Sequence, residues 1–396
     1  MASYGEKQAC VSGLGQSSIN RKPSVYPFKL AVEACLRAIE DAGLTIDDID
    51  GAACWPGGVN FLGEGPSAAA VGDIKNSLGL KLNWYSSGEG AAMFAPVINA
   101  IGAIAAGYAT HVLCWRAVGE RWVPTYSHAN AAGGPLPRVA GWMQWTAPYW
   151  APSAANWTAL VAGAHMHRYG ITREQMAAIP IVQRRNAGLN PNAIYREPLT
   201  MDAYLGARMV TTPFCLYDCD VPCDGATAVI VSRLDAAKDL RRKPIRFEAV
   251  GAAATDRMDT WFARDDFPHM MMHDAARAMW RRTDLKPKDV GSAHLYDGFT
   301  YLAMFWLEAL GFMKEGEVGA FIEGGRRISL DGELPLNTNG GQLSEGRLHG
   351  LGHLHEAVLQ LRGQAGERQV KDLKVSVTGV GGGGFGGALL LTNEDL

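Results

Sequence analysis

The chain has 396 residues, 47% of them hydrophobic and 19% charged, and its 37 basic and 40 acidic side chains leave a net charge of −3. That apolar content supplies a large buried core and excludes a disordered chain, while so even a charge balance excludes a phosphate-tracking nucleic-acid binder. Seven scattered cysteines form no disulfide framework and fit a reducing, cytoplasmic setting, and the segment Met1 to Lys7 lacks the apolar core of a signal peptide.

From the N-terminus, Ala9 to Gly15 reads as a strand (8–14) ending in small residues, and an Ala-rich helix follows over about 28–42. A turn, an Asp-Ile-Asp step and a strand at 51–55 come next. Tyr85-Ser86-Ser87-Gly88-Glu89-Gly90 opens a helix whose apolar run, Ala91 to Gly107, contains Pro96 and Asn99. It falls short of the roughly 20 residues a membrane span needs. A helix this apolar on every side belongs in the middle of a globular core. Thr110 to Trp115 reads as a central strand.

Residues 116–222 break this rhythm with Pro, Gly and Asn clusters, helices near 155–169 and 172–187, and a loop through Asn190-Pro191-Asn192-Ala193. The insertion is dense in aromatics: Trp122, Tyr126, Trp142, Trp145, Tyr149, Trp150 and Trp157. They form either a satellite core or dimer contact, or a wall for a bulky apolar substrate. Cys223 to Val231 closes the half as a strand.

The same order then returns. Phe247 to Ala253 is a strand, Asp274-Ala275-Ala276-Arg277 opens a helix, and a Lys-Asp-Val-Gly turn leads to the strand His294-Leu295-Tyr296. A helix at 300–311, the step Asn337-Thr338-Asn339-Gly340-Gly341, a helix near 352–363 and a strand at 373–378 follow. The glycine run from Gly379 to Gly387 turns into a final strand, Ala388 to Thr392; its glycines at 381–384 read as a loop that lets backbone approach a ligand. Strands alternating with helices imply crossover units and mixed, mostly parallel sheets. The repetition implies two related halves, residues 1–115 with 223–240 and residues 241–396, separated by an inserted 116–222. What differs between the halves should then carry the chemistry.

Several motifs invite other chemistry. His349, His353, His355 and Glu356 offer either metal ligands or hydrogen-bond partners, with His349 the one placed to face a site. Cys215, Cys219 and Cys223 lack a close fourth ligand. Gly13-x-Gly15 lacks the third glycine and the acid of a dinucleotide loop. Ser86 and Ser87 have no nameable base beside them.

Four segments in order, Tyr85-Ser86-Ser87-Gly88, His294 to Phe299, Asn337 to Gly350 and Gly382 to Gly386, resemble the thiolase superfamily over essentially the whole chain. The branch they resemble is that of the lipid-transfer or sterol-carrier thiolases. The resemblance implies a duplicated five-layer α/β/α/β/α thiolase fold. It also implies that the nucleophilic cysteine is replaced by Tyr85, at the mouth of the buried helix, and the second cysteine by Val380. The family's His-Asp-Cys-Phe or Asn-Glu-Ala-Phe site reads Tyr296-Asp297-Gly298-Phe299, and its Gly-His-Pro site reads Gly346-Arg347-Leu348. A phenol with a pKa of about 10 is a poor acyl carrier beside a thiol near 8.5, so acyl transfer through sulfur is excluded.

What the resemblance leaves is a shell for a CoA thioester enolate, with the amides of Tyr85 and Gly382 as its oxyanion donors. It is closest to the retro-aldolases that shorten steroid side chains, whose catalytic tyrosine in Tyr-Asp-x-Phe matches Tyr296. Their second tyrosine, before Ile/Leu-His-Gly, is Arg347 here, ahead of Leu348-His349-Gly350. The implied reaction cleaves a bulky, steroid-like β-hydroxyacyl-CoA to a ketone or aldehyde and a short acyl-CoA. Tyr296 acts as base, with Arg347 either lowering its pKa, stabilising charge on oxygen, or held structurally by Asp297 or Glu345. Also implied are no cofactor beyond the substrate's CoA, a homodimer formed around the Ala91–Gly107 helix, and a small OB-fold/zinc-ribbon acyl-CoA-binding partner. The alternatives are a non-catalytic acyl-CoA-binding subunit and an acyltransferase on the same scaffold.

Overall fold

A computed structural model describes the chain except for residues 1–3, 23–24, 56–68, 89–91, 122–142, 253–260, 262–263 and 395–396. The N-terminal half runs β1 (Ala9–Gln16), α1 (Pro27–Ala42), β2 (Gly51–Cys54), α2 (Val71–Leu78), β3 (Trp84–Ser87), α3 (Ala95–Ala105) and β4 (His111–Gly119). After the insertion, which holds α4 (Ala154–Tyr169), α5 (Ala178–Gly188) and the hairpin β5 (Met209–Thr211) with β6 (Phe214–Cys215), it closes with β7 (Asp224–Arg233). The C-terminal half runs β8 (Ile245–Ala252), α6 (Met271–Trp280), β9 (Ser292–Leu295), α7 (Thr300–Ala309), α8 (Leu351–Leu361), β10 (Val375–Gly382) and β11 (Phe385–Thr392).

Strand order shows the duplication directly. The sheet is ordered β3-β2-β4-β7-β1-β8-β11-β10-β9, and β1 meets β8 through only two residue pairs, Cys10 with Arg246 and Val11 with Ile245. Outward from that seam both halves repeat one scheme. β1–β7 and β7–β4 are antiparallel and β4–β2 parallel; β8–β11 and β11–β10 are antiparallel and β10–β9 parallel. The parallel β2–β3 pair has its counterpart in a single parallel bridge between Ala293 and Leu336. The sheet is therefore mixed, with its parallel pairs on the outer side of each half.

Alternation along these strands builds the layers. Leu113 and Trp115 of β4 point to α1, with Leu30, Ala34 and Ala38, while Val112 and Cys114 point to the middle of the molecule. There Val97, Ile101 and Ile104 of α3 meet Leu351, Leu354 and Val358 of α8, between the inner faces of the two half-sheets. The far face of the C-terminal half packs Val377 and Leu390 against α6 and α7. The result is helix, sheet, paired helices, sheet, helix. α1 forms because Pro27 stands at its first position, apolar residues recur at three- and four-residue spacing, and Gly43 ends it with φ of 74°. Its close seating depends on Gly15, where an added Cβ would lie 2.0 Å from the Ala34 carbonyl oxygen. Gly251 of β8 makes the same approach to Ala275 of α6, also 2.0 Å.

Four sequence expectations change. Tyr85 to Ser87 are strand, not helix mouth: they form β3 beside β2, and the helix begins only at Ala95. α3 is not covered all round, since Gly102 and Ala105 are exposed. The glycine loop shrinks to Gly383 and Gly384, because β10 runs through Gly382 and pairs it with Phe385. Finally, β4 extends to Gly119, so the insertion begins after it and not at 116. The insertion does not stand apart: Val161, Ile179 and Val182 share one core with Tyr301, Phe305 and Leu310 of the C-terminal half. Trp122, Tyr126 and Trp142 lie outside the described residues. Trp145, Tyr149 and Trp150 are exposed, and only Trp157 turns inward, against Trp261.

Candidate active site

The chemistry gathers where β4, β9 and the turn before α8 end. Tyr296 follows the last residue of β9, and its amide donates to the Gly379 carbonyl of β10 at 2.8 Å, so its place is set by the sheet. Its ring lies over Gly298: a Cβ there would stand 3.0 Å from the phenol oxygen, which explains the glycine in Tyr-Asp-Gly-Phe. Asp297, fully buried, accepts from the amides of Gln342 (3.0 Å) and Leu343 (3.3 Å) and lies 3.2 Å from His353 Nε2. It thereby holds the short helix Gly341–Ser344, from which the next turn departs.

That turn carries Arg347 and His349. The guanidinium of Arg347 donates twice to Glu120 Oε2 (2.8 and 2.5 Å) and once to Asp220 Oδ1 (3.1 Å). Neither Asp297 nor Glu345, the two carboxylates considered from sequence, is its partner. Glu345 instead accepts from Asn190 and Asn339, and burial pushes its carboxyl up to about 8. His349 has φ of 50°, its amide donates to Gln342 Oε1 at 3.1 Å, and its Nδ1 lies 2.7 Å from Arg116 Nη2. Arg116 also donates to the Trp55 carbonyl and lies 4.8 Å over that indole.

These groups strongly perturb one another. Burial, then the negative charge of Asp220, pushes the Tyr296 phenol well above its ordinary pKa; Arg347 pulls the other way and loses, with Asp297 and Glu120 adding to the rise. Arg347 thus favours phenolate as expected, but burial and the carboxylates outweigh it, so the net shift runs upward. Asp220 is pushed by burial up to about 7, against the opposing pull of Arg347, and so titrates near neutrality. Burial alone would lower Arg347, yet Asp220 and Glu120 hold it firmly protonated. His349 is driven well below its ordinary value by burial, then by Arg116 and Arg347, and is neutral.

Of the residues singled out from sequence, the structure brings together Tyr296, Arg347 and His349. Tyr85 is elsewhere: 72% exposed on the edge strand β3, opposite Ala52. Its neighbour Ser86 is the one that faces α3, accepting from Asn99 Nδ2 at 3.0 Å. Gly382 is a strand residue packed against Leu302, not a loop donor. Sequence reading missed Asp220, Glu120 and Arg116. Arg116 had a visible signal, a lone charge inside the apolar strand His111-Val112-Leu113-Cys114-Trp115-Arg116-Ala117-Val118. Asp220 and Glu120 gave none, since only folding brings them to Arg347.

A cavity of about 430 Å³ reaches this group, with Asp220, Arg21, Arg184, Tyr195, Tyr217 and Leu343 in its wall. The Arg184 guanidinium lies 5.1 Å over Tyr195 and 5.7 Å from Tyr217. The motifs that suggested metals are otherwise engaged: Glu356 binds Arg368 (2.9 and 3.0 Å), and burial pushes the Cys215 and Cys219 thiols up to about 11 and 12. Among the described residues no group of three His, Cys, Asp or Glu side chains is arranged to hold a metal.

Residues 252–391 match the family described as Thiolase C-terminal domain-like. The chain is 34% identical over 366 residues to the steroid side-chain-cleaving aldolase of Thermomonospora curvata, with 90% of each chain covered. It is 33% identical over 368 residues to the 17-hydroxy-3-oxo-4-pregnene-20-carboxyl-CoA lyase of Mycobacterium tuberculosis, covering 90% of this chain and 92% of that one. Among solved structures it matches the Ltp2-ChsH2(DUF35) aldolase with a TM-score of 0.85 and 31% identity over 98% of both chains. The duplicated sheets, the paired central helices and these full-length similarities together place the chain in the thiolase superfamily, within its branch of steroid side-chain-cleaving aldolases.

Proposed function

We propose that this chain is a carbon–carbon lyase that cleaves the side chain of a steroid-like β-hydroxyacyl-CoA by a retro-aldol step through a thioester enolate. The observation that carries the mechanism is the joining of Tyr296, Asp220 and Arg347 in one part-buried group, with Asp220 poised to titrate near neutrality. Asp220 takes the proton of the β-hydroxyl as its electrons form the carbonyl and the Cα–Cβ bond breaks. The bond's electron pair passes into the thioester as an enolate. Tyr296, kept as a phenol, gives its proton to Cα and is reprotonated from Asp220, so the proton lost by the hydroxyl is returned overall. The phenol's raised pKa is no obstacle, because a thioester enolate is a far stronger base than phenolate. This replaces Tyr296 as base by Tyr296 as acid.

Arg347 holds Asp220 and Glu120 in place and limits how far the rise in the Asp220 pKa can go. The cavity ending on Asp220 suits the CoA portion, with Arg21 and Arg184 complementary to phosphates and tyrosine faces beside them. The buried, high-pKa cysteines support neither acyltransferase chemistry nor an oxidising compartment, and the cytoplasm is the proposed setting. A DUF35-type partner, of OB-fold and zinc-ribbon architecture, is proposed by analogy with the Ltp2-ChsH2(DUF35) complex. A homodimer is supported by the edge position of β3 and by the exposed Gly102 and Ala105 on α3.

The test is incubation with 17-hydroxy-3-oxo-4-pregnene-20-carboxyl-CoA, with and without a DUF35-type partner, followed by mass spectrometry. The expected products are the 17-ketone and propionyl-CoA. Tight binding of the thioester with no cleavage in either arm would overturn the lyase reading in favour of an acyl-CoA-holding subunit.

A further inference from the structure

Arg116 is among the largest fully buried side chains of the protein, yet among the described residues it forms no ion pair with a carboxylate. Its hydrogen bonds go to the Trp55 carbonyl and to His349 Nδ1, and its Nε has no partner. A buried cation without an anion is costly unless its charge is used. A guanidinium only donates, so at 2.7 Å it requires the lone pair of His349 to be on Nδ1 and the proton on Nε2. That Nε2–H is unspent: the facing oxygen, Glu120 Oε1, lies 3.7 Å away, too far for a hydrogen bond, and the other oxygen of that carboxylate is held by Arg347.

We propose that Arg116 is a positioning residue that locks His349 as a neutral Nε2–H donor, and that this donor receives the enolate oxygen in place of the displaced amides of Tyr85 and Gly382. The inference rests on the lyase reading for its catalytic half only; the locked tautomer stands independently. Three further observations fit it. The left-handed backbone of His349 is held by Gln342, itself anchored by Asp297, so the ring has a fixed base. Trp55 packs edge-on against the imidazole, ring centres 6.3 Å apart, and closes its other side. The charged groups facing the ring are Arg116 and Glu120 from β4 and its end, and Arg347 from its own turn. Burial first, and then these two cations against one paired carboxylate, keep the ring uncharged, as suits an oxyanion donor.

Two measurements test this. In ¹⁵N-histidine NMR of the intact protein, His349 should show the Nε2–H tautomer and no titration between pH 5 and 8, with Arg116→Lys unchanged and Arg116→Met losing the fixed Nε2–H tautomer. An Nδ1–H tautomer, or titration in the wild type, overturns the proposal. In steady-state kinetics Arg116→Met should lose on the order of 100-fold in kcat with little change in KM, the usual cost of one oxyanion donor, and Arg116→Lys should recover most of it. Wild-type kcat in Arg116→Met overturns the catalytic half. A wild type that cleaves no thioester refutes both the lyase reading and that half, while the NMR result still decides the tautomer.

Discussion

The two halves share one strand order but end their strands in different chemistry. Cys54 lies opposite Trp115 in the first half as Leu295 lies opposite Gly379 in the second. One residue further on, Trp55 therefore corresponds to Tyr296, and Arg116 to Val380. The N-terminal half brings a guanidinium packed on an indole; the C-terminal half brings a phenol beside a small-residue strand. Duplication supplied two equivalent rims, and divergence at single rim positions gives one a guanidinium and the other the phenol that the proposed mechanism uses as proton donor. Ligands in α/β proteins gather beyond the carboxyl ends of strands for the same reason, since rim residues can change without disturbing the sheet.

The largest effect that would sharpen this contrast is on the C-terminal rim. Tyr296→Phe removes the acid and should lower kcat by about 10³-fold, at the middle of the range for general acid–base groups, with an unchanged melting temperature. Trp55→Phe, at the matching rim position, should leave kcat within about tenfold of wild type; equal losses in both would break the assigned division of roles. Next, Leu354→Ala in the paired-helix layer should cost about 3 kcal/mol, because Leu354 is fully buried between the half-sheets. Denaturant unfolding should remain a single transition, and two resolved transitions would mean that the halves fold independently.

Asp220→Asn should abolish the acidic limb of the kcat/KM profile. Wild-type activity should rise with pH through an apparent value near 7, as the base deprotonates, and the variant should show about 10²-fold lower activity with no such limb. Smallest is a stability effect at Glu345. Its folded pKa, about 8, lies above that of a free carboxylate, so between those values the folded chain binds more protons than the unfolded one. Its contribution is fully present below about 4.5 and is lost as pH rises through 8. Wild-type stability relative to Glu345→Gln should therefore fall between pH 5 and 8, by thermal melts; a rising difference contradicts a protonated Glu345.

The sequence and the fold agree where periodicity acts over many residues. α1, α4 and α8, the strand pairs around each crossover and the doubling itself are legible because burial of one face imposes a spacing that the chain displays. β3 was not, since four residues on a sheet edge, alternately covered and open, carry too little pattern to compete with the apolar helix after them. Gly382 was assigned to a loop for a related reason: a glycine pairs as readily as it turns, and only Phe385 opposite it decides.

At the site, local motif and distant partner separate cleanly. Tyr296 and Arg347 were named through the resemblance of their short motifs to the family's, and His349 through the histidine cluster beside them. What these residues do depended on Asp220, Glu120 and Arg116, brought in from the insertion's far end, the tip of β4 and its interior. The chain's pattern alone determined a duplicated α/β scaffold without a usable thiolate, because layer formation and residue chemistry are properties of the sequence. Tertiary structure alone decided which group holds a proton: a pKa is set by burial and by charges a few ångströms away, and those neighbours are far apart along the chain.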